Sequence, residues 1–343
     1  MKKLSEHFSW RTYILFIAAL IAAMLLCICV GSVNIPLGDT VTALWNSLWG
    51  MEIPTGISKS IILNVRLPRV LNVALVGAAL SLCGAAMQGL LRNPLADGST
   101  LGVSSGASLG AVLSLALGIT IPGTAYGGTM VMAMLFAFLS LAAILGLAYT
   151  LDRSLTTNSI ILIGVIFSMF ASSAINLVIS FAEDHIKSIT FWTMGSLSGT
   201  NFSHTRILAI SVLLCGGVIL RYARELNAFA IGEDNARHIG VNVKGVKLII
   251  LITVSVLIGV CVSISGTISF VGLVMPHMAR MITGPNHKRL LPASMFSGAI
   301  FLLLADLTAR TILRPIELSI GVVTSLVGAV AFVTIFYRTR KAR

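Results

Sequence analysis

Charge is scarce in this sequence, and acidic charge is scarcest. Among 343 residues, 12 are Asp or Glu and 24 are Lys or Arg, so charged side chains make up 10% of the chain, where a soluble domain carries roughly a quarter. With 56% hydrophobic residues and a mean hydropathy of +0.96, that shortage excludes a water-soluble fold and makes the bilayer the solvent. No Gly-x-x-x-x-Gly-Lys-Ser/Thr occurs anywhere, which excludes a P-loop ATPase. Paired carboxylates, a His–acid cluster and a Ser–His couple are also missing, which argues against an intramembrane enzyme. Cys27, Cys29, Cys83, Cys215 and Cys261 all lie inside apolar runs without CxxC spacing, and they read as packing residues. No catalytic residue, metal site or cofactor is expected.

What the sequence has instead is a series of apolar stretches, each near the roughly 20 residues that one bilayer crossing needs. They are continuous, without the period-two alternation of a porin-type barrel. Unpaired backbone groups are costly in hydrocarbon, so such stretches must be helical. The spacing predicts an all-α membrane protein, a polytopic bundle of about ten transmembrane helices. They fall near residues 13–33, 66–89, 95–117, 128–150, 159–181, 206–223, 246–265, 270–283, 291–311 and 317–337. The chain 1–343 reads as a single transmembrane domain. Lys2, Lys3 and Arg11 precede the run from Tyr13 to Val33. That run exceeds the roughly 7–15 residues of a signal-peptide core, so it is read as the first spanning helix and not as a cleaved leader.

An even number of crossings puts both termini on one side. If that side is the cytoplasm, only Lys59, Arg66, Arg69, Lys187, Arg206, Arg310 and Arg314 fall outside, and the rest of the 24 cations fall inside, as the positive-inside rule requires. The formal charge of +12 therefore marks a membrane face, and no nucleic-acid partner is expected. The 31 glycines cluster in helices, as in LGVSSGASLGA at 101–111, and read as points of close helix packing. SLCGAAMQGLLRNP from Ser81 and SISGTISFVGLVMP from Ser263 share Ser, Gly, Gly-Leu and Pro at nearly constant offset, which raises an inverted repeat of the kind that builds many transporters.

At NVRLPRVLNVALVGAALSLCGAAMQGLLRNPLADGSTLGVSSGA (64–107) the chain resembles the permease family of ABC importers for iron–siderophores, haem and vitamin B12, often called FecCD-like. The resemblance continues at AFAIGEDNARHIGVNV (228–243), SGTISFVGLVMPHMARMITGPNHKRLLPAS (265–294) and ADLTARTILRPIELSIGVVTSLVGA (305–329), in the family's order and spacing. Gly98 stands where the family usually has proline, a departure that touches only the local turn. The resemblance implies a multi-pass permease of the bacterial cytoplasmic membrane with both termini cytoplasmic, and three partners within it. These are a cytoplasmic ABC ATPase subunit, an extracytoplasmic substrate-binding protein and a second permease protomer, the same or a similar chain.

Arg66 and Arg69 share one face at the outer start of the second helix, and Arg310 and Arg314 share one at the outer end of the ninth. Snorkelling, or pairing with Asp306 and Glu317, would account for them. As a docking surface they would bind carboxylates of a delivery protein through charge-assisted bonds. Arg66, Arg69 and Arg310 match the docking arginines of the family, and Arg314 is added on position alone. The polar stretch about 226–245 carries Gly232, Glu233 and Asp234 as a helix start, with Ala236, Ile239 and Val241 as an apolar edge closed by Gly240. The resemblance matches it to the family's ATPase-coupling helix at Gly232, Glu233, Ala236 and Gly240.

On the fifth helix Ser168, Ser172, Ser173 and Asn176 recur at helical spacing. They either line a water-filled path or hydrogen-bond to neighbouring helices. His277 lacks a second ligand at i+3 or i+4, so it reads as a packing residue, and Asp306 sits four residues before Arg310 as an ion pair on one face. An ion-coupled secondary transporter would need protonatable residues along its spans, and this sequence offers almost none. An iron(III)–siderophore chelate is the expected cargo, as the commonest substrate of the family, with haem and cobalamin as alternatives.

Overall fold

The structure is a computed structural model that describes residues 10–31, 36–49, 60–121, 127–151 and 156–341. Lys2, Lys3, Lys59, Arg153 and Arg343, counted above in the charge balance, lie outside the described residues. The described chain is all-α. Its helices are α1 (Trp10–Cys29), α2 (Leu37–Leu48), α3 (Leu67–Leu90, entered through a π-helical turn Ile61–Arg66), α4 (Val103–Ala116), α5 (Gly127–Leu151), α6 (Thr157–Phe181) and α7 (Ile186–Thr193). There follow α8 (Phe202–Arg221), α9 (Ala223–Phe229), α10 (Glu233–His238), α11 (Val243–Ser265), α12 (Val271–Thr283), α13 (His287–Thr311) and α14 (Ile320–Lys341).

Among the described residues, 7 helices are long and apolar enough to cross a bilayer: α1, α3 with its entry turn, α5, α6, α8, α11 and α13. Helix α4 and the Ile320–Thr334 part of α14 are shorter apolar helices, and α12 has 13 residues. Each of the apolar runs read from the sequence therefore finds its helix. The third run is the most shortened: residues 91–97 form turns and a bend-free link before a 3₁₀ turn at Gly98–Leu101, and helix begins only at Val103. Pro94 and Gly98 are poor helix formers, and apolar content alone could not signal that interruption.

Helix α3 is the axis of the molecule. Its most apolar window is 78% buried, against 22% for α1 and α6 and 17% for α8, and it packs on α13, α12, α11 and α8. Small residues make this possible. Gly77 lies against the backbone of Gly298 in α13, Gly84 against the backbone of Gly272 in α12, and Gly89 against the His287 ring. Lipid gives helices no hydrophobic reason to associate, so backbone-close crossings of this kind carry the dispersion that holds them.

Those contacts also bring the two halves of the echo between Ser81 and Ser263 together. Residues 84–88 are helical within α3, whereas the matching 266–270 is the break between α11 and α12. The two segments do not repeat one local structure; their glycines touch each other, Gly84 against Gly272. Small residues are shared because both sides of one crossing need them. Within the break, Phe270 adopts a left-handed backbone at φ +68°, which is costly for a bulky side chain, and its ring closes on Gly328 of α14.

Candidate functional site

Helices α3 and α13 run antiparallel through the centre. With its entry turn α3 spans 30 residues, about 45 Å at 1.5 Å per residue. The residues singled out from the sequence as docking and coupling groups collect at the two opposite ends of this pair.

At one end lie Arg66, Arg69, Arg310 and Arg314. Only Arg314, just past α13, is exposed; Arg66, Arg69 and Arg310 are 5%, 9% and 4% exposed. Arg69 donates from Nε and Nη2 to Asp306 Oδ1 at 3.1 and 3.0 Å, and from Nη1 to Glu317 Oε2 at 2.9 Å. Arg310 Nε stands 2.9 Å from Asp306 Oδ2, the i,i+4 pair expected from the sequence. The remaining donors reach α1. Arg66 Nη1 donates to the carbonyls of Ile28 and Cys29 at 2.6 and 3.0 Å, and Arg310 Nη2 to that of Cys27 at 3.1 Å. These carbonyls close the last turn of α1, where a helix has no internal donors left and carries the negative end of its dipole. The guanidinium groups thus cap a helix as well as pairing with acids, a role the sequence does not signal because the acceptors are backbone atoms far away in the chain. Three buried guanidiniums face two carboxylates, leaving this end positive. Glu317 alone among its acids reaches the surface, with a side chain 36% exposed.

At the other end α9 packs on the end of α3 and the start of α13, and α10 packs on α9 and α11. Gly232 at φ +110° and Gly240 at φ +87° bracket α10, in backbone conformations that any side chain would strain. Ala236 is fully buried against the bundle, while Ile231 and Ile239 point out at 57% and 64% exposure. The apolar edge read from the sequence is therefore divided: Ala236 seats the helix, and Ile239 is presented outward. Glu233 does not face outward either. Its Oε1 lies 2.7 Å from Lys247 Nζ of α11 and accepts from the Thr157 hydroxyl at the start of α6 at 3.1 Å. Behind α9, Asn227 Oδ1 accepts from the backbone N–H of His287 at 2.8 Å and lies 2.8 Å from its Nδ1, and Asn227 Nδ2 donates to Asn286. His287 is thus a packing residue joining α9, α13 and Gly89 of α3; His277 is half-buried on α12.

Between the two ends runs α6, largely unburied. Ser172, Ser173 and Asn176 are exposed on it beside Val165, Met169, Phe170 and Leu177, whereas Ser168 turns its hydroxyl inward. Ser173 donates back to the Met169 carbonyl, the i−4 bond by which a helical serine satisfies itself in an apolar setting. A further feature went unread in the sequence. The breaks before α4 and α12 open onto a cavity of about 290 Å³ lined by Asp97, Ser104, Ser105, Ser108, Thr267 and Ser269. Irregular backbone within a membrane bundle is tolerated where it lines such a space.

A family model described as the FecCD transport family matches residues 19–338. Among curated proteins, the chain is 43% identical over 97% of its length to an ABC transporter permease protein, YvrB, of Bacillus subtilis, covering 95% of that protein. It is 36% identical over 93% of its length to a hemin transport system permease protein of Yersinia pestis, again covering 95% of the relative. Other matched relatives serve molybdate, iron(3+)-hydroxamate and cobalamin import. Among solved structures, a chain described as part of a metal-chelate type ABC transporter in an inward-facing conformation superposes with a TM-score of 0.80. It is 30% identical, with 94% of this chain and 97% of the other covered.

Proposed function

The chain belongs to the FecCD transport family, and on that premise we propose that it carries an iron(III)–siderophore chelate across the bacterial cytoplasmic membrane. It is the permease subunit of an ABC importer, and it works with a separate ATPase, a substrate-binding protein and a second permease protomer. ATP hydrolysis belongs to the ATPase subunit. The observation that carries the assignment of docking and coupling ends is the two-ended arrangement: a positive cluster at one end of the α3–α13 pair, and a glycine-bracketed helix with outward Ile231 and Ile239 at the other.

The arginine end takes the extracytoplasmic side and the α10 end the cytoplasm, which agrees with the bias of Lys and Arg in the sequence. An acidic delivery protein meets Arg314 first; Arg66, Arg69 and Arg310 form the field behind it. Ile239 and Ile231 seat in the ATPase as short apolar anchors do in a groove, and α6 of two protomers encloses the path. Two observations support an iron chelate as cargo: relatives named for hemin, iron(3+)-hydroxamate and Fe(3+) dicitrate, and a structural neighbour of metal-chelate type.

The test is uptake by the assembled importer in proteoliposomes, loaded in turn with a radio-iron ferric hydroxamate, hemin and cyanocobalamin. ATP-dependent, vanadate-sensitive accumulation of the ferric hydroxamate alone is expected, and accumulation of hemin or cobalamin in its place would overturn the cargo. Arg314→Glu tests docking without disturbing the buried network. The variant is expected to reach the membrane normally and to bind the delivery protein about tenfold more weakly, the scale of one charge-assisted contact. Unchanged affinity in surface plasmon resonance would remove Arg314 from the docking face.

A further inference from the structure

In sequence Lys247 reads as one of the cations of a membrane face, yet the structure buries its side chain completely. An ammonium so placed needs a partner, because leaving a charge unpaired in a low-dielectric interior is strongly unfavourable. It forms an ion pair with Glu233, and Glu233 is the first residue of α10. The same oxygen, Oε1, takes the hydroxyl of Thr157, the first residue of α6. One atom of the α10 segment is therefore bonded to the second turn of α11 and to the start of the helix that carries Ser172, Ser173 and Asn176.

We propose that Glu233, Lys247 and Thr157 form a joint that makes α6 and α11 move with α10. The proposal rests on the reading of α10 as the segment moved by the ATPase. If α10 shifted alone, the buried ion pair of Glu233 with Lys247 and the Thr157 bond to the same oxygen would both break, so the bundle follows the less costly course and the two helices are carried along. The surroundings favour this point as the pivot. Gly232 and Gly240 give α10 sharp turns on both sides, so the segment is not an extension of α9 or α11 and pulls on the bundle through its side chains. Lys244, one turn earlier on α11, packs its ammonium 4.7 Å from the Tyr149 ring of α5, which holds the start of α11 against the end of α5. Lys247 is a positioning residue in this scheme: it touches neither cargo nor nucleotide.

The experiment uses the complete importer in nanodiscs, with a spin label on a cysteine placed at Ser172 of α6, an exposed position. The label's mobility is compared between the nucleotide-free and the vanadate-trapped complex. In the otherwise unaltered protein, trapping is expected to change the label's spectrum. In Lys247→Met, the ATPase should still trap vanadate while the population shift at Ser172 shrinks about tenfold, the size of coupling lost when one link between sites is cut. Lys247→Arg, which keeps the cation, should restore part of the response, and Thr157→Val should weaken it. A full response at Ser172 in Lys247→Met overturns the joint. No response in the unaltered protein overturns instead the assignment of α10 and α6 on which it rests. Should Lys247→Met fail to assemble, Thr157→Val decides: an undiminished response there counts against the joint.

Discussion

Asp306→Ala is expected to remove most folded protein from the membrane. Asp306 is 1% exposed and is bonded through one oxygen to Arg69 and placed by the other against Arg310. Without it both guanidiniums stay buried beside each other, with only Glu317 and the α1 carbonyls to hold them. Breaking a buried pair from one side costs about 3–5 kcal/mol, a large part of the roughly 5–15 kcal/mol that keeps a typical domain folded. The check is the yield in isolated membranes and the unfolding midpoint in detergent, followed by fluorescence-detected size exclusion. Asp306→Asn keeps an acceptor of the same shape and should fall between. Wild-type yield and midpoint in Asp306→Ala would mean that the cluster adds nothing to folding.

Gly84→Ala is expected to be nearly as damaging although it adds a single methyl group. A Cβ at this position would overlap the carbonyl, carbonyl carbon and Cα of Gly272. Those are backbone atoms and cannot swing aside, so α3 and α12 must separate along their whole crossing. Overpacking a tight interior costs about 1–3 kcal/mol, and here the separation also moves the break at 266–270 that lines the cavity with Thr267 and Ser269. Gly146→Ala and Gly217→Ala are the controls: a Cβ at either meets nothing within 4 Å, and alanine is the better helix former by up to about 1 kcal/mol. They should leave yield and unfolding midpoint unchanged or slightly raised. Equal tolerance at all three positions would show that close glycine contact is not what fixes the crossing.

Both predictions concern features that were only half visible in the residues alone. The apolar segments were legible because a bilayer asks for long apolar runs, and each run finds a helix, but α4 and α12 fall short of crossing length, which the runs did not announce. The short helices were not: α2, α7 and α9 do not form apolar runs of crossing length. The pairing of Asp306 with Arg310 was readable from their spacing on one helix. Pairing of the outer arginines with Asp306 and Glu317 was also among the readings; that Arg69 makes both bonds, to Asp306 237 residues away, is a fact of packing. The glycines announced close contacts without saying between which helices, and two segments that share them touch each other at Gly84 and Gly272. Lys247 is a related case. Near the end of an apolar run, a lysine that reaches headgroups and one that turns inward to Glu233 look the same in sequence.

The bonds from Arg66 and Arg310 to the end of α1 bear on biogenesis. Cys27 and Arg310 are 283 residues apart. At about 5–20 residues per second, ribosomal synthesis separates their appearance by roughly 15–60 s. Throughout that interval the nascent chain holds α1 in the membrane with part of its terminal seal still unsynthesised. The seal closes only when α13 inserts. A ribosome that stalls before Arg310 leaves that seal incomplete, with the Cys27 carbonyl lacking its donor from α13.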